Sequence, residues 1–287
     1  MKIKRVDFVT VVTIPKDRLS KIDFAMCRQP AETLESFYSR QAHKPDLLIN
    51  GGFFDMPTGR TIFNYIDNGV NIARDSRNKT GMAILSDGSL EYGNVDDFSN
   101  IVDFVAAHPP LVVDGGITSL ASASGVSGRA RRTAVGYDST HIYILTADSP
   151  GVTLAEWQEV VAATGVDYAV NLDGGGSTRM LHKGELVTDR GWSRPVDNVI
   201  GFWLKEEKKV LYRVQTGAFS KKNNAEVAKM HLDTLPSDIG MDYAKSYVRF
   251  VDGLYKIQIG AFSERKNAER VVADLKAHGV ASFITTK

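Results

Sequence analysis

Near the C-terminus the chain repeats itself, and that repeat limits the possible folds more than any other feature. Residues 212–220 read YRVQTGAFS and residues 255–263 read YKIQIGAFS, identical at six of nine positions over an offset of 43 residues. Each copy alternates as a strand does. In the second, Tyr255, Ile257, Ile259 and Ala261 point one way, and Lys256, Gln258, Gly260 and Phe262 the other. A helical stripe follows each copy: Ala225, Ala228, Leu232 and Leu235 after the first, Ala268, Val271, Val272 and Leu275 after the second. Strand-like pieces at 246–250 and 281–285 complete each half. A solenoid needs three or more repeats. Two predict a pseudo-symmetric βαββαβ unit of the ferredoxin or RNP type, with a four-stranded sheet covered by two helices on one face. Arg213, Gln215, Phe219, Lys256, Gln258 and Phe262 then belong to the open face, where amides and aromatics suit sugar hydroxyls.

Upstream lies KEEKK, residues 205–209, a charged run that makes a better linker than core. The sequence therefore divides into residues 1–204, a linker at 205–210, and 211–287. Strand signals in the first part fall at 6–14, 47–50, 82–85, 111–113, 133–137, 141–147, 169–172 and 199–204. One helix is clear, with Thr153 as cap, Glu156 three residues on, and an end near Thr164. The fold class is α+β, with a sheet-rich mixed first domain. Hydrophobic residues are 43% and charged residues 24%, enough for a core, and the net charge of +1 offers no field for nucleic acid. One cysteine, Cys27, rules out an internal disulfide framework and is expected to pack as a small hydrophobe. No run of about 18 apolar residues predicts a membrane span. Asp7, Lys16, Asp17 and Arg18 interrupt any apolar stretch after the basic start, so no export signal is expected. The protein would then stay cytoplasmic until released, unless a signal has already been removed.

Chemistry concentrates in three turns. Residues 171–178, NLDGGGST, follow an apolar strand. Gly174, Gly175 and Gly176 permit a tight turn whose N–H groups can converge on an anion, with Asp173 at the strand end and the hydroxyls of Ser177 and Thr178 beyond. NGGFF at 50–54 brings Asn50 and Gly51, and HPPLVVDGG at 108–116 brings Asp114. Three strands ending in Asn or Asp beside glycines predict convergence on one pocket. Arg132 and Arg194 add guanidinium groups suited to phosphate. There is no P-loop, no H-E-x-x-H and no cysteine pair for zinc, and GVSGR at 125–129 fails the G-x-S-x-G pattern at its last position.

With RRTAVG, PGVTLAEW and RPVDNVIGFWL, these turns resemble the phosphodiester glycosidase family over residues 45–204. The family's best-known members uncover mannose 6-phosphate by removing a covering N-acetylglucosamine. The resemblance implies hydrolysis of a sugar–phosphate diester at the anomeric carbon. It carries function to Asn50, Gly51, Arg132, Asp173, Gly174, Gly175, Ser177, Thr178, Arg194 and Asn198, with Gly176 on the phosphate side and Asp114 as a reserve carboxylate. The repeat, with Asn224-Ala225 and Asn267-Ala268 opening its helices, resembles a SPOR domain over residues 210–287. That implies binding of peptidoglycan, often strands stripped of stem peptides, through Gln215, Phe219, Gln258 and Phe262.

A sugar phosphodiester relieves the enzyme of one task. Its leaving group is a phosphate monoester, stable as an anion, so a general acid matters less than charge recognition. Asp173 is assigned as base or nucleophile, Gly174 to Ser177 and Arg132 as phosphate holders, and Asn50 and Asn198 as orienting the sugar. The sequence signals no particular cofactor; a divalent cation held by Asp173 and its neighbours is compatible with the pattern. The expected partners are peptidoglycan and phosphate-linked wall polysaccharide. Catalytic domain first, wall binder last and no leader is also the layout of many phage endolysins, which a holin releases. Two other functions fit: a wall lysin cleaving glycan strands or peptides, and a wall-binding protein without catalysis.

Overall fold

The structure, a computed structural model, describes residues 1–121, 123, 125–189, 191, 193–206 and 210–286. It has two compact units, Met1–Lys205 and Glu206–Lys287. Of the charged run, residues 207–209 lie outside the described residues. Among the described residues antiparallel strands dominate, accompanied by four α-helices, so the fold is α+β.

Seven strands form the first unit's largest sheet, in the order Lys2–Val6, Val9–Pro15, His141–Val152, Ala130–Tyr137, Tyr168–Asn171, Pro110–Val113 and Gly116–Ile117. Neighbouring residues go to opposite faces, as a strand's period of two requires. Val135, Ile144 and Val170 enter the main core, while Ala134, Leu145 and Ala169 pack with Trp157 and Val161 of the helix Leu154–Ala162. Both faces are covered, which is why these strands read as continuous apolar runs. Two five-stranded sheets close the main core. One runs Glu185–Leu186, Met180–His182, Leu47–Asn50, Asn198–Leu204, Leu19–Met26; the other runs Leu90–Asn94, Thr80–Leu85, Ile101–Ala106, Tyr65–Asp67, Val70–Ala73. The helix Leu34–Arg40 seals the first of these through Leu34 and Phe37.

Thr153 and Glu156 form a capping box at the expected helix start. The strand expected over residues 6–14 is present as Val9–Pro15, but it starts later because Asp7 takes a positive φ of 53° at a turn that pairs it with Lys2–Val6. At another turn, Asp138 accepts from the Thr140 and His141 amides at 2.6 Å each and from the Tyr143 hydroxyl at 2.7 Å. Burial pushes its carboxyl up, but these bonds outweigh it and hold the group at about 2.

In the second unit the sheet order is Tyr247–Val251, Leu254–Phe262, Tyr212–Phe219, Ser282–Thr285, covered by the helices Lys222–Asp233 and Arg265–Ala277. This is the βαββαβ arrangement that the repeat predicts. The structure also explains why each copy ends in Gly-Ala-Phe. Gly217 and Gly260 take φ of +65° and +78°, and the ladder slips register at each. The following phenylalanine folds back over its glycine: a Cβ on Gly217 would lie 2.3 Å from the Phe219 ring, and one on Gly260 2.8 Å from the Phe262 ring. Phe219 and Phe262 therefore pack against the core instead of standing on an open face. Gln215 and Gln258 face each other in register but are only 4% and 2% exposed. The outer strands set the exposed Tyr247 and Phe283 beside them, giving a row Tyr247, Gln258, Gln215, Phe283 across all four strands.

Candidate active site

Antiparallel pairing of Ala134 with Asn171 sets the start of the strand Ala130–Tyr137 beside the end of Tyr168–Asn171. Arg132 and Asp173 thereby reach the same end of the large sheet. From a different sheet, the turn after Leu47–Asn50 arrives at the same place. The Asp173 amide donates to the Gly51 carbonyl at 3.2 Å, and Asn50 Nδ2 donates to the Asp173 carbonyl at 2.7 Å. The site is a seam between two sheet ends.

Asn50 holds that seam. It is fully buried, and its Oδ1 accepts from the Thr133 hydroxyl at 2.8 Å and the Arg179 amide at 3.2 Å. Asn198 does the same from the next strand: Oδ1 accepts from the Gly52 amide at 2.6 Å and Nδ2 donates to Thr61 Oγ1 at 2.9 Å. A Cβ on Gly51 would sit 2.1 Å from Asn198 Oδ1, so only glycine allows this approach. The structure thus revises the role of both asparagines. Each spends its amide on protein groups, beneath the site.

Asp173 is 7% exposed and pairs with Arg194 Nη2 at 3.1 Å, while its Oδ1 accepts from the Gly174 amide at 2.8 Å. Burial pushes its carboxyl above the ordinary range, against the lowering pull of Ser177, Arg194 and that amide. Arg194 also donates from Nε to Ser177 Oγ at 2.8 Å and lies 5.4 Å from the Phe54 ring. Arg132 is 3% exposed. It donates to the carbonyls of Val126 at 2.7 Å, Val152 at 3.4 Å and Gly128. No carboxylate pairs with it among the described residues, and burial lowers its pKa. Arg132, Asp173, Gly174, Gly175 and Arg194 line one cleft of about 580 Å³, which Phe53, Phe54, Met56 and Ile62 also line.

Much of the NLDGGGST turn is bonded to the protein itself. Gly175 takes φ +58°, and a Cβ on Gly174 would lie 2.6 Å from the Arg131 carbonyl. The Gly176 carbonyl accepts from the Arg194 amide at 3.0 Å. Ser177 and Thr178 are fully buried, and their amides bond back to Gly174 and Gly175, so these two N–H groups are not turned to an anion. Asp114 does not join them. Its strand runs antiparallel to Tyr168–Asn171, so DGG ends beside Tyr168, whose hydroxyl it accepts, at the opposite end of the sheet. It is the start of that strand, His108, that approaches the site side, its carbonyl accepting from Asn171 Nδ2 at 2.7 Å. Among the described residues of this unit, no three His, Cys, Asp or Glu ligand atoms cluster closely enough to hold a metal.

Sequence reasoning missed two features. The hydrophobic wall comes from Phe53, Phe54 and the hairpin around Met56, which carried no chemical signal. Asp197, fully buried, accepts from Gln29 at 2.7 Å and from Thr61 at 2.6 Å. Thr61 thereby ties it to Asn198. Its place inside RPVDN was the available clue.

Residues 43–203 match the phosphodiester glycosidase family, and residues 208–286 match the SPOR domain. The catalytic domain of zebrafish N-acetylglucosamine-1-phosphodiester alpha-N-acetylglucosaminidase, auto-inhibited by its pro-peptide, is 19% identical, with a TM-score of 0.54 over 70% of this chain and 85% of that one. A hypothetical protein from Synechocystis is 14% identical, with a TM-score of 0.57 over 71% of this chain and 61% of that one. The solution structure of the peptidoglycan binding domain of a B. subtilis cell wall lytic enzyme is 37% identical over 29% of this chain and 96% of that one, with a TM-score of 0.24. No curated protein matches the chain. The likenesses at 19% and 14% identity establish a shared fold.

Proposed function

The chain belongs to the phosphodiester glycosidase family and carries a SPOR domain after it, and from that premise we propose that it hydrolyses a sugar-1-phosphodiester at the bacterial cell wall. Water adds to the anomeric carbon, the bond from that carbon to the phosphate oxygen breaks, and a free sugar and a phosphate monoester leave. One observation carries this reading. Arg132 is a buried cation without a carboxylate partner among the described residues, and it lines the same cleft as Asp173. A buried unpaired guanidinium is costly, and a phosphate group would offset that cost. Asp173 acts as base or nucleophile, and Arg194 favours its ionised form against the opposing effect of burial. Arg132 holds the phosphate, and the wall at Phe53, Phe54 and Met56 receives the sugar or the group beyond the phosphate. Asn50, Gly51 and Asn198 set the seam. The name of the zebrafish relative makes N-acetylglucosamine the first sugar to try. The SPOR domain keeps the enzyme on peptidoglycan, where phosphate-linked polysaccharide is the substrate class at hand.

The test uses the pure protein, Asp173→Asn and Arg132→Lys, each with purified Gram-positive walls and with UDP-N-acetylglucosamine. Sugar release that falls at least about a hundredfold in Asp173→Asn supports the assignment. Arg132→Lys should mainly raise KM, because a lysine lacks the guanidinium fork. Muropeptide release without free sugar would point to a wall lysin. Binding with no product would point to a non-catalytic wall protein.

A further inference from the structure

The second unit holds a concentration of ligand-type side chains that glycan binding does not use. Asp274 and His278 stand four residues apart at the end of the helix Arg265–Ala277, so they share one face. Asp238 comes from the loop after the helix Lys222–Asp233. A carboxylate oxygen from each aspartate and a ring nitrogen of His278 lie within 4.8 Å of one another.

Three further observations make this more than a polar surface cluster. Asp274 is 6% exposed, yet no Lys or Arg pairs with it or with Asp238; the ion pairs among the described residues of this unit join other groups. His278 Nε2 is buried and has no hydrogen-bond partner. And Asp274 is held in place from behind, its Oδ2 accepting from Ser237 Oγ at 3.1 Å and from the Tyr243 hydroxyl, its Oδ1 from the Asp238 amide at 3.2 Å. Two carboxylates thus gather beside an imidazole nitrogen that lacks a hydrogen-bond partner, and no lysine or arginine among the described residues pairs with them.

We propose that Asp238, Asp274 and His278 form a divalent transition-metal site that fastens the loop after the unit's first helix to the end of its second. Mixed imidazole and carboxylate ligands favour zinc or cobalt over calcium, which takes six to eight oxygens. Water would complete the coordination. Ser237 and Tyr243 serve as the outer groups that orient a ligating carboxylate. A small unit with a limited core is the kind that gains from such a fastening.

The experiment titrates the chelator-treated full chain with ZnCl2 by calorimetry and with CoCl2 by visible absorption, alongside Asp238→Asn and His278→Gln. One ion per chain is expected, bound about tenfold or more weakly in each variant. Zinc should raise the melting temperature of the wild type and leave both variants unmoved. Asp238 is exposed, so its variant keeps the fold, which circular dichroism verifies. The proposal fails if no stoichiometric binding occurs, or if binding survives both substitutions unchanged.

Discussion

Asp173 and Arg194 make the site sensitive to pH in a direction that the geometry fixes. Burial raises the Asp173 carboxyl above the ordinary carboxylate value of about 4. If the ionised form does the work, activity is lost as pH falls through that raised value, so the acidic limb of the rate profile lies higher than for an exposed carboxylate. Arg194 pulls the group down. Arg194→Gln should therefore move the limb further up, and a pH profile of sugar release checks this; an unmoved limb would remove Asp173 from the role. The sign for stability is separate. Between the unfolded value and the raised folded value the native state binds more protons, so Asp173 costs stability as pH rises through that window. Asn50 makes a different prediction because it supports rather than reacts. Asn50→Ala leaves the Thr133 hydroxyl, the Arg179 amide and the Asp173 carbonyl without their partner. A loss of at least about 3 kcal/mol is expected from three buried polar groups, read by denaturant unfolding. A variant of normal stability but altered KM would return Asn50 to the sugar.

Elements carry the next level of control. The two long central strands, Ala130–Tyr137 and His141–Val152, meet at a turn organised by one carboxylate. Asp138 is held at about 2, below its unfolded value of 3.8. Its contribution is therefore present above the unfolded value and is lost as pH falls through about 2. Asp138→Ala should cost about 2 kcal/mol at neutral pH, and the variant and the wild type should converge in stability below pH 2, measured by thermal melts at several pH values. A gap that persists at that pH would mean that the turn is held by shape and not by charge. Element pairing also decided the fate of the three glycine turns. NGGFF and NLDGGGST come from strands in different sheets whose ends meet, while the DGG after Val113 is carried to the far end because its strand runs antiparallel. Residue pattern alone marks a turn; the direction of the strand says where the turn lands.

At the scale of the molecule, each unit has its own core. Separate cores predict separable functions. A chain ending at Lys205 should keep its rate on a soluble sugar phosphodiester and lose retention on purified sacculi, assayed by turnover and by pull-down. A matching loss of rate would show that catalysis needs the second unit. Substitution of the buried Gln215 and Gln258 should perturb the fold of that unit, whereas Tyr247 and Phe283, exposed in the same row, are the side chains to test for glycan contact.

Local signals were enough for much of this. A repeat of nine residues dictated βαββαβ because strand and helix periods are local properties, and the same holds for the capping box at Thr153 and for the strand Leu47–Asn50. Glycine triplets and strand-end aspartates marked where chemistry could occur, because few other roles tolerate them. Tertiary structure alone decided the rest. It turned Asn50 and Asn198 inward, because hydrogen-bond partners from separate strands and turns become available only after the sheets meet. It sent Asp114 away through strand direction, folded Phe219 and Phe262 onto glycine bulges, and gathered Asp238, Asp274 and His278 from two elements. Each of these depends on which residues become neighbours at long range, and the order of residues along a chain fixes composition and period but not that adjacency.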